Sequence, residues 1–237
     1  MEERLPKPLG GKAYGSIPHL PGSRLGLGDH HCHEGQALIC TARARDRHDR
    51  IIVQEKVDGS CVAVAKVDGR IVPLVRSGYE AHSSPWEQHK LFDLWVWKYA
   101  YERFDAALRD GERVCGEWLA QAHGTRYELA HDPFVAFDIL ANGVRTPFDE
   151  FSERMATAGF VMPRLLHNGG PIPAEEIATR LEPSGHGALD PVEGAVWRVE
   201  RRGKVDFLAK FVRQDKLDGC YLPEISGAPA IWNWRPT

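Results

Sequence analysis

Three consecutive β-strands are predicted between Ile51 and Arg76, and they constrain the fold more than any other part of the sequence. β-Branched residues are concentrated along this stretch, as is typical of strands. Asp68-Gly69 lies between the second and third strands, and this dipeptide is a strong signal for a tight hairpin turn. The stretch therefore predicts antiparallel pairing of its second and third strands.

A Lys-x-Asp-Gly motif stands where the first of these strands ends, within Glu55-Lys56-Val57-Asp58-Gly59-Ser60. A strand would fix the position of Lys56, and Gly59 would let the backbone approach a bulky bound group. Lysine performs covalent chemistry only as the neutral amine, so such a site needs nearby positive charge or desolvation to lower the pKa of the lysine. Lys56 is therefore a candidate covalent nucleophile.

The same motif occurs twice more, at residues 66–69 and 216–219. The first of these copies coincides with the predicted hairpin turn, so the side chain of Lys66 is expected to face water. The motif is short, and its spacing alone does not decide between Lys56 and Lys216.

Helices and hairpins alternate along the rest of the chain. A serine cap, a proline and a glutamate in Ser84-Pro85-Trp86-Glu87 predict the start of a helix that Gly111 ends. Further elements are predicted as strands over 114–119, 134–140, 194–200 and 205–212 and as helices over 146–159 and 173–181. Separate helices combined with antiparallel hairpins predict an α+β fold class. We expect a single domain that consists of an N-terminal arm over residues 1–50, a core over 51–213 and a C-terminal tail over 214–237.

Composition narrows the class of protein. The net charge of −3 argues against a grip on nucleic acid over the whole surface, but it leaves room for a local basic groove. No apolar run approaches the roughly 18 residues of a membrane span, so no membrane partner is expected. Five cysteines without a Cys-x-x-Cys pair indicate reduced thiols, and they favour a cytoplasmic location.

Three features of the N-terminal arm each allow two interpretations. His30-His31-Cys32-His33 is either part of a metal site or a polar surface turn, and the lack of a matching second ligand pair favours the turn. Ser23-Arg24 is either a phosphate-contacting loop or part of an arm that packs through its apolar residues. A run of arginines is either a solvated face or a nucleic-acid edge along one side of a strand, and it consists of Arg43, Arg45, Arg47 and Arg50.

Five short motifs follow one another in the core, each on a predicted strand or at its edge. They are Glu55-Lys56-Val57-Asp58-Gly59-Ser60, Gly116-Glu117-Trp118, Phe134–Ile139, Glu193-Gly194-Ala195-Val196 and Leu208–Arg213. In this order they resemble motifs I, III, IIIa, IV and V of the ATP-dependent RNA ligases, specifically the RNA-ligase-2-like group of the covalent nucleotidyltransferase superfamily. The resemblance implies the nucleotidyltransferase (adenylation-domain) fold, in which antiparallel sheets and flanking helices form an ATP-grasp-like ligase core.

The resemblance also implies a reaction. Lys56 would attack the α-phosphate of ATP to form a lysyl-adenylate, AMP would pass to the 5′-phosphate of an RNA strand, and a 3′-hydroxyl would displace AMP to join the ends. The implied cofactors are ATP and Mg²⁺ or Mn²⁺, and the implied partner is RNA with 5′-phosphate and 3′-hydroxyl ends. Lys216 lies beyond the last motif, so the order of the motifs assigns the nucleophile to Lys56.

Further residues receive roles from the same resemblance. Glu117 would accept hydrogen bonds from the ribose hydroxyls, and Phe137 would stack on adenine. Lys210 would hold the α-phosphate and help to depress the pKa of Lys56. Asp138 would orient a metal-bound water or a basic partner. The implied nucleotide-binding residues are Glu55, Asp58, Gly59, Arg76, Glu117, Phe137, Asp138 and Lys210, and the implied metal ligand is Glu193.

The sequence departs from the family pattern in three places. Cys61 stands where relatives commonly carry asparagine, and a thiol is a weak hydrogen-bonding group. Val212 stands where the family usually has a second basic residue, so the nearest further cation is Arg213. Residues 214–237 are too few for the C-terminal domain by which larger relatives hold their substrate, which leaves open a partner protein that supplies this grip.

Four other functions are compatible with the motifs. They are sealing of nicked DNA, GTP-dependent transfer of GMP in RNA capping, adenylylation of ends without sealing, and RNA-end binding by a non-catalytic subunit. Cys61 argues mildly against the first two, because DNA ligases and capping enzymes tend to carry arginine there. The intact set of Lys56, Glu117, Glu193 and Lys210 argues against a loss of catalysis.

Overall fold

Two antiparallel β-sheets organise the protein, which the computed structural model describes over residues 6–236. The strands are β1 (Asp49–Lys56), β2 (Ser60–Val67), β3 (Arg70–Val75), β4 (Glu112–Trp118), β5 (Phe134–Ala141), β6 (Val144–Arg145), β7 (Leu165–Gly169), β8 (Gly194–Arg201) and β9 (Lys204–Val212). Sheet A has the order β7-β1-β8-β9, and sheet B has the order β3-β2-β4-β5-β6.

Short helices flank the two sheets. The α-helices are α1 (Glu34–Thr41), α2 (Glu87–Trp95), α3 (Tyr101–Ala107), α4 (Phe148–Thr157), α5 (Ala174–Ala178) and α6 (Pro223–Ser226). A 3₁₀ turn at Ala81–Ser83 precedes α2, and a π-helical turn at Val96–Ala100 joins α2 to α3. No helix within residues 6–236 is long and apolar enough to cross a membrane. The predicted α+β class, with antiparallel sheets and flanking helices, is confirmed.

The predicted hairpin is formed by β2 and β3. Asp68 and Gly69 have φ angles of 50° and 72°, which a two-residue turn with both central residues in the left-handed region requires. Lys66 was expected to face water, but its side chain is only 19% exposed, because Nζ lies 2.8 Å from the carboxylate of Asp105 near the end of α3. The second motif copy is therefore a turn whose lysine fastens α3 to sheet B.

Residues 57–59 connect the two sheets where β1 ends and β2 begins. A Cβ atom at Gly59 would lie 2.5 Å from the carbonyl oxygen of Trp118, so only glycine fits at this position. The link therefore passes directly against the end of β4. This close approach brings the end of β1 in sheet A and the end of β4 in sheet B together at the first Lys-x-Asp-Gly copy.

The aromatic core fills the space between sheet B and the α2–α3 helices. Phe92 stacks on Phe134 with ring centroids 6.0 Å apart, and Trp95 packs against Trp118 at 5.4 Å. Phe104 meets Phe134 edge-on at 5.4 Å. These rings are buried, so they supply apolar burial together with favourable ring geometry. A second core around Trp197 packs under sheet A.

The helix predicted from Ser84 to Gly111 is broken into two. α2 begins only at Glu87, because the hydroxyl of Ser84 accepts a hydrogen bond from the Trp86 amide outside the helix. The π-helical turn adds residues to one turn and shifts the helical register, which no apolar spacing in the sequence signals. Gly111 does not end α3, which stops at Ala107, but has a φ of 81° in the turn before β4.

The N-terminal arm contains one helix that the sequence did not predict. A separate part of the arm extends sheet A. α1 begins after His33, which takes part in a capping box with Gln36. The Leu20 amide donates to the Lys210 carbonyl oxygen at 2.8 Å, and the Lys210 amide donates to Pro18 at 2.9 Å. The arm therefore runs along the outer edge of β9 as an added strand segment.

The Ser23-Arg24 loop packs against the body of the protein. The hydroxyl of Ser23 accepts a hydrogen bond from the Val212 amide at 2.9 Å, and Arg24 pairs with Asp218 at 2.6 Å. These contacts support the packed-arm interpretation rather than a phosphate-contacting loop. Within residues 6–236, no group of three or more His, Cys, Asp or Glu side chains is placed to hold a metal ion, and His33 precedes α1 as its cap.

The arginine run does not line one side of a strand, because β1 begins only at Asp49. Arg45 pairs with Asp49 at 2.7 Å and with Asp206 at 2.6 Å. Arg50 pairs with Asp149 at 2.6 Å. Of the two interpretations, the nucleic-acid edge along a strand is therefore wrong in its geometry, and these two guanidinium groups belong to an ion-paired surface.

The C-terminal tail lies against sheet B. The Ala122 amide donates to the Ile231 carbonyl oxygen at 2.9 Å, and the ring of Trp234 meets Trp118 at 5.7 Å. The tail therefore covers one side of the aromatic core.

Two tryptophans on one helical segment give a matched test of this core. Trp95 is 1% exposed and Trp97 is 51% exposed. Trp95→Ala is expected to lower the free energy of unfolding by about 3–5 kcal/mol, because it leaves a cavity among packed rings. Trp97→Ala is expected to cost about 1 kcal/mol or less, since it removes one surface stacking contact. Urea denaturation of both variants measures the difference, and equal losses would contradict the core assignment.

Candidate active site

A cavity of about 1380 Å³ lies between the two sheets, at the place where residues 57–59 connect them. Its wall is built from the ends of β1, β3 and β4, the start of β2, residues within β5, β8 and β9, the arm and the start of α2. Five cationic side chains line it, namely Lys12, Lys56, Arg76, Arg198 and Lys210. A concentration of positive charge in one concave site favours polyanionic ligands such as phosphates.

Lys56 and Glu193 form the central ion pair of the cavity. β1 and β8 are antiparallel neighbours with Lys56 opposite Gly194, so Glu193 lies beside the lysine. The Nζ atom is 2.6 Å from Oε2 of Glu193. A Cβ atom at Gly194 would lie 1.9 Å from the carbonyl oxygen of Phe211, so the close approach of β8 to β9 requires glycine.

Lys56 is held as a cation by the carboxylates around it. Burial acts to lower the pKa of Lys56, but the negative charges of Glu193, Glu117 and Asp58 outweigh burial and raise it above its ordinary value. Lys210 was expected to depress this pKa, and the net direction is the opposite. Burial and the charge of Lys56 instead lower the pKa of Lys210 itself.

Glu117 lies at the end of β4, opposite Cys61 in the register with β2. Its Oε1 accepts a hydrogen bond from the Gly59 amide at 3.2 Å. Burial raises the pKa of Glu117 to about 7, with Asp58 and Glu193 acting in the same direction and Lys56 against it. The carboxyl group therefore titrates in the physiological range.

Asp58 accepts hydrogen bonds from the far side of the link between the sheets. Its Oδ2 lies 2.9 Å from the Gly124 amide and 3.2 Å from the hydroxyl of Thr125. The Nζ of Lys216 is 2.8 Å from the same oxygen. The lysine of the third motif copy therefore contacts the aspartate of the first, which the order of the motifs did not indicate.

Phe137 and Asp138 are adjacent residues at a β-bulge in β5. Cys115 pairs with Asp138 and Gly116 pairs with Ala136, which leaves Phe137 unpaired in the ladder. Phe137 lines the cavity, and its ring meets that of Tyr14 edge-on at 5.0 Å.

Asp138 is completely buried outside the cavity wall. It accepts hydrogen bonds from the Tyr14 hydroxyl at 3.2 Å, from Arg145 at 2.7 Å and from Arg198 at 3.0 Å. Of the two roles considered for Asp138, these contacts match the orientation of a basic partner, because Arg198 reaches the cavity and Asp138 does not.

Glu55 and Arg76 make contacts with neighbouring loops. Successive side chains of a strand alternate between faces, and the carboxylate of Glu55 is bound by the Ser184 hydroxyl at 2.6 Å and by the Gly185 amide at 2.8 Å. The guanidinium of Arg76 donates to the hydroxyl of Ser16 in the arm at 3.1 Å. Glu55 therefore braces the end of β1, and Arg76 joins the arm to the cavity.

Several lining residues were not found from the sequence. Lys12 and Tyr14 belong to the arm, for which only packing or a phosphate loop was considered. His89 of α2 shares hydrogen bonds with Ser60 at 2.8 Å and with Ser84 at 2.6 Å. Burial and the neighbouring His123 lower the pKa of His89 to about 4, so it is a neutral hydrogen-bonding group. A single histidine in a helix gives no sequence signal for such a position.

Solved structures that are similar to this chain include RNA ligases. The structure of a Naegleria gruberi RNA ligase with PPi has a TM-score of 0.52 at 17% identity, covering 76% of this chain and 53% of its own. A variant of that ligase with ATP and Mn has a TM-score of 0.53 at 15% identity, covering 83% and 59%. An archaeal ATP-dependent RNA ligase has a TM-score of 0.45 at 21% identity, covering 70% and 43%.

The similarity covers a larger share of this chain than of the solved RNA ligases. This chain spans about half the length of the solved RNA ligases that it matches first. No curated protein sequence matches it. The model of the RNA ligase family matches residues 49–212, which is more than half of the chain and includes all the strands of both sheets. The chain therefore belongs to the RNA ligase family.

Proposed function

We propose that this protein is an ATP-dependent RNA ligase that joins 5′-phosphate and 3′-hydroxyl RNA ends through a lysyl-adenylate on Lys56. The observation that carries the proposal is the position of Lys56, which ends β1 inside a cavity lined by further cations and lies against Glu193. A nucleophile fixed by a strand and surrounded by phosphate-binding charge suits in-line attack on a phosphate.

The first step forms a bond between Nζ of Lys56 and the α-phosphorus of ATP, while the bond to pyrophosphate breaks. Lys56 must first lose its proton, which the carboxylate of Glu193 is placed to accept at 2.6 Å. Lys210, half-buried in the same cavity, is a cation suited to the negative charge that develops on the α-phosphate.

Glu193 fits the role of a metal ligand. It is 7% exposed, and its carboxylate is a hard oxygen donor at the reacting lysine. The described residues provide no cluster of three or more acidic, histidine or cysteine ligands, so Glu193 would share the cation with substrate phosphates and water, as is usual for Mg²⁺. A bound Mg²⁺ or Mn²⁺ would neutralise phosphoryl charge.

The nucleoside would be held by Glu117 and Phe137. The Glu117 carboxylate can accept hydrogen bonds from the ribose hydroxyls, because among residues 6–236 only the Gly59 amide donates to it, at one of its two oxygens. Phe137 presents its ring to the cavity, and Tyr14 supports that ring from the side. Asp58 and Gly59 shape the link that passes beneath this site, and Glu55 fixes the strand that carries Lys56.

The remaining cations would bind the RNA ends in the later steps. AMP passes from Lys56 to an oxygen of the RNA 5′-phosphate, and the 3′-hydroxyl then attacks that phosphate and releases AMP. The cavity is larger than the roughly 300–1,000 Å³ of an ordinary small-molecule site, which leaves space beside the nucleotide. Arg76 and Lys12 lie on the arm side of this space, where they can contact phosphate oxygens.

We further propose that the protein acts in RNA repair in the cytoplasm, with a partner protein that adds to its grip on RNA. Free thiols at Cys32, Cys40, Cys61, Cys115 and Cys220 support the location. The need for a partner is supported by the ion pairs that Arg45, Arg50 and Arg201 form with acidic neighbours. Guanidinium groups that are paired in this way are less available to bind RNA phosphates.

Labelling with ATP that carries its label on the α-phosphate tests the nucleophile. Lys56→Ala is expected to abolish label that stays on the protein under denaturing electrophoresis, because no other amine replaces Nζ. Lys66→Ala is the matched control from the second motif copy and is expected to keep the label. Label on the Lys56 variant would contradict the assignment, and labelling from GTP alone would favour a capping enzyme.

The choice of substrate distinguishes an RNA ligase from a DNA ligase. We expect the labelled protein to join RNA ends on a nicked duplex when both flanking strands are RNA. Sealing of an all-DNA nick with no activity on RNA would identify a DNA ligase instead.

The pKa of Glu117 predicts a pH dependence for nucleotide binding. Because that pKa is raised to about 7, the carboxyl group gains a proton as the pH falls through 7, and the neutral acid is the poorer acceptor for ribose hydroxyls. Binding of the unreactive α,β-methylene analogue of ATP should weaken by up to about tenfold between pH 8 and pH 6. Glu117→Gln should flatten this pH profile. Substitution of an exposed glutamate, Glu175→Gln, should leave the profile as it is in the wild type. An unchanged profile in Glu117→Gln would contradict the role of Glu117 in nucleotide binding.

The proposed roles of Glu193 and Glu117 predict different responses of self-adenylylation to the metal concentration. Glu193→Gln is expected to slow self-adenylylation by about 10²-fold or more, with partial recovery as Mn²⁺ is raised, because the variant loses a metal ligand. Glu117→Gln is expected to raise the ATP concentration that is required without changing the metal requirement. Initial rates over a matrix of ATP and Mn²⁺ concentrations measure both effects, and identical responses of the two variants would show that the roles are misassigned.

A further inference from the structure

The ammonium group of Lys210 lies beside a carboxylate of the N-terminal arm. Its Nζ is 3.6 Å from Oδ1 of Asp29, and the Lys210 side chain is 18% exposed. That distance is longer than a hydrogen bond, so the attraction between the two charges orients the ammonium group without committing one of its protons. Protons that are not committed to Asp29 are available to the oxygens of a bound phosphate.

The second oxygen of Asp29 is fixed by two donors of the arm. Oδ2 lies 2.9 Å from Nε2 of His19 and 3.2 Å from the amide of Gly26. Burial acts to raise the pKa of Asp29, but the charge of Lys210 and these hydrogen bonds outweigh burial and lower it. The carboxylate is therefore ionised, with one oxygen held in the arm and the other facing Lys210.

His19 connects Asp29 to β9. The imidazole is 1% exposed, and its Nδ1 lies 2.6 Å from the hydroxyl of Ser23. Burial and the charge of Lys210 lower the pKa of His19, so the ring is neutral. A carboxylate only accepts hydrogen bonds, so Nε2 of His19 donates to Asp29 and Nδ1 accepts from Ser23.

Ser23 completes the chain of contacts at the backbone of β9. Its hydroxyl oxygen accepts a hydrogen bond from the Val212 amide at 2.9 Å. A Ser-His-Asp order can serve a hydrolase, but Ser23 is 4% exposed, so its hydroxyl is not presented to a substrate. The trio is a structural chain, and it runs from the backbone at Val212 to the side chain of Lys210 on the same strand.

The backbone of the arm follows the same stretch of β9. The Leu20 amide donates to the Lys210 carbonyl oxygen at 2.8 Å, and the Arg24 amide donates to that of Val212 at 3.0 Å. The amide of Cys32 donates to the carbonyl oxygen of His19 at 2.8 Å, which holds the returning half of the arm against the first half. The position of the Asp29 carboxylate is therefore set relative to the strand that carries Lys210.

We propose that Asp29 is a positioning residue for Lys210, which directs the ammonium group toward the α-phosphate of ATP while His19 and Ser23 hold the carboxylate in place. The inference rests on the proposed function, in which Lys210 binds that phosphate. Asp29 does not touch the nucleotide in this role, because a carboxylate repels phosphate oxygens. It acts only through Lys210, and the arm thereby contributes to adenylylation without contacting phosphate itself.

The α-thio analogue of ATP tests the contact between Lys210 and the α-phosphate. This analogue carries sulfur in place of one non-bridging α-phosphate oxygen, and it exists as two diastereomers. A cation held against one of these oxygens favours one diastereomer. The selectivity is the initial rate of self-adenylylation with the preferred diastereomer divided by the rate with the other, measured in the full chain at one Mg²⁺ concentration. Lys210→Met is expected to bring this selectivity closer to one.

Asp29→Asn keeps the size of the side chain and an oxygen that can accept from His19, but it removes the charge that orients Lys210. It should lower the rate with ATP by about tenfold and lower the selectivity as Lys210→Met does. A change that only loosens the fold would reduce both rates by the same factor and leave the selectivity unchanged. The matched control is Asp218→Asn, since Asp218 pairs with Arg24 of the same arm at 2.6 Å, and it should keep the wild-type selectivity.

Two further variants complete the test. Asp29→Asn added to Lys210→Met should cause no further change in selectivity, because the group that Asp29 orients is already gone. Asp29→Glu decides the question if Asp29→Asn does not fold. It keeps the charge but lengthens the side chain by one methylene group, which displaces the carboxylate from Nζ, and its selectivity should lie between those of the wild type and Lys210→Met.

A lower selectivity in Asp29→Asn, a wild-type value in Asp218→Asn and no further change in the double variant would support the inference. A wild-type selectivity in Asp29→Asn, or in Asp29→Glu where only that variant folds, would overturn it and leave Lys56 as the nucleophile. A further change in the double variant would overturn it as well, as would a selectivity near one in the wild type or an unchanged selectivity in Lys210→Met. Absence of label from the wild-type protein with ATP would overturn the proposed function, and the inference with it.

Discussion

The register between β1 and β8 is the constraint on which the rest of the structure depends, because it sets Lys56 against Glu193. A slip of one residue would turn the lysine to the other face of sheet A and break the contact. Gly194 permits β8 to approach β9, and Gly59 permits the chain to leave β1 and pass tightly against β4. These two glycines are thus explained by close backbone contacts, within sheet A for Gly194 and between the sheets for Gly59.

Much of the fold follows from local signals in the sequence. Asp68-Gly69 fixes the β2–β3 hairpin because both residues accept the left-handed conformation, and the two halves of the β8–β9 hairpin are found by their β-branched and apolar residues. The choice of Lys56 followed from the order of the motifs, and the structure places Lys56, Glu193, Glu117, Phe137, Arg76 and Lys210 around one cavity. The chemical roles of these residues stay predictions.

What the sequence missed depends on contacts between distant residues or on small changes of register. Phe137 lines the cavity, whereas its neighbour Asp138 is buried against Arg198, so the shared site that their adjacency suggested does not exist. The π-helical turn after Trp95 alters which residues face the core. The pairing of Lys216 with Asp58 joins residues far apart in the sequence, and a four-residue motif contains no information about its partner.

The added strand segment along β9 has a consequence for how the protein is made. Pro18 and Leu20 bond to Lys210, and Asp58 bonds to Lys216, so the cavity is closed by contacts that span most of the chain. Contacts of this kind form late, because a long loop must close before they stabilise anything. During synthesis, β1 and β2 leave the ribosome long before β9, and the arm cannot form its hydrogen bonds to β9 until that strand has been made. The cavity that we propose as the nucleotide site is therefore expected to be completed only after β9 has been made.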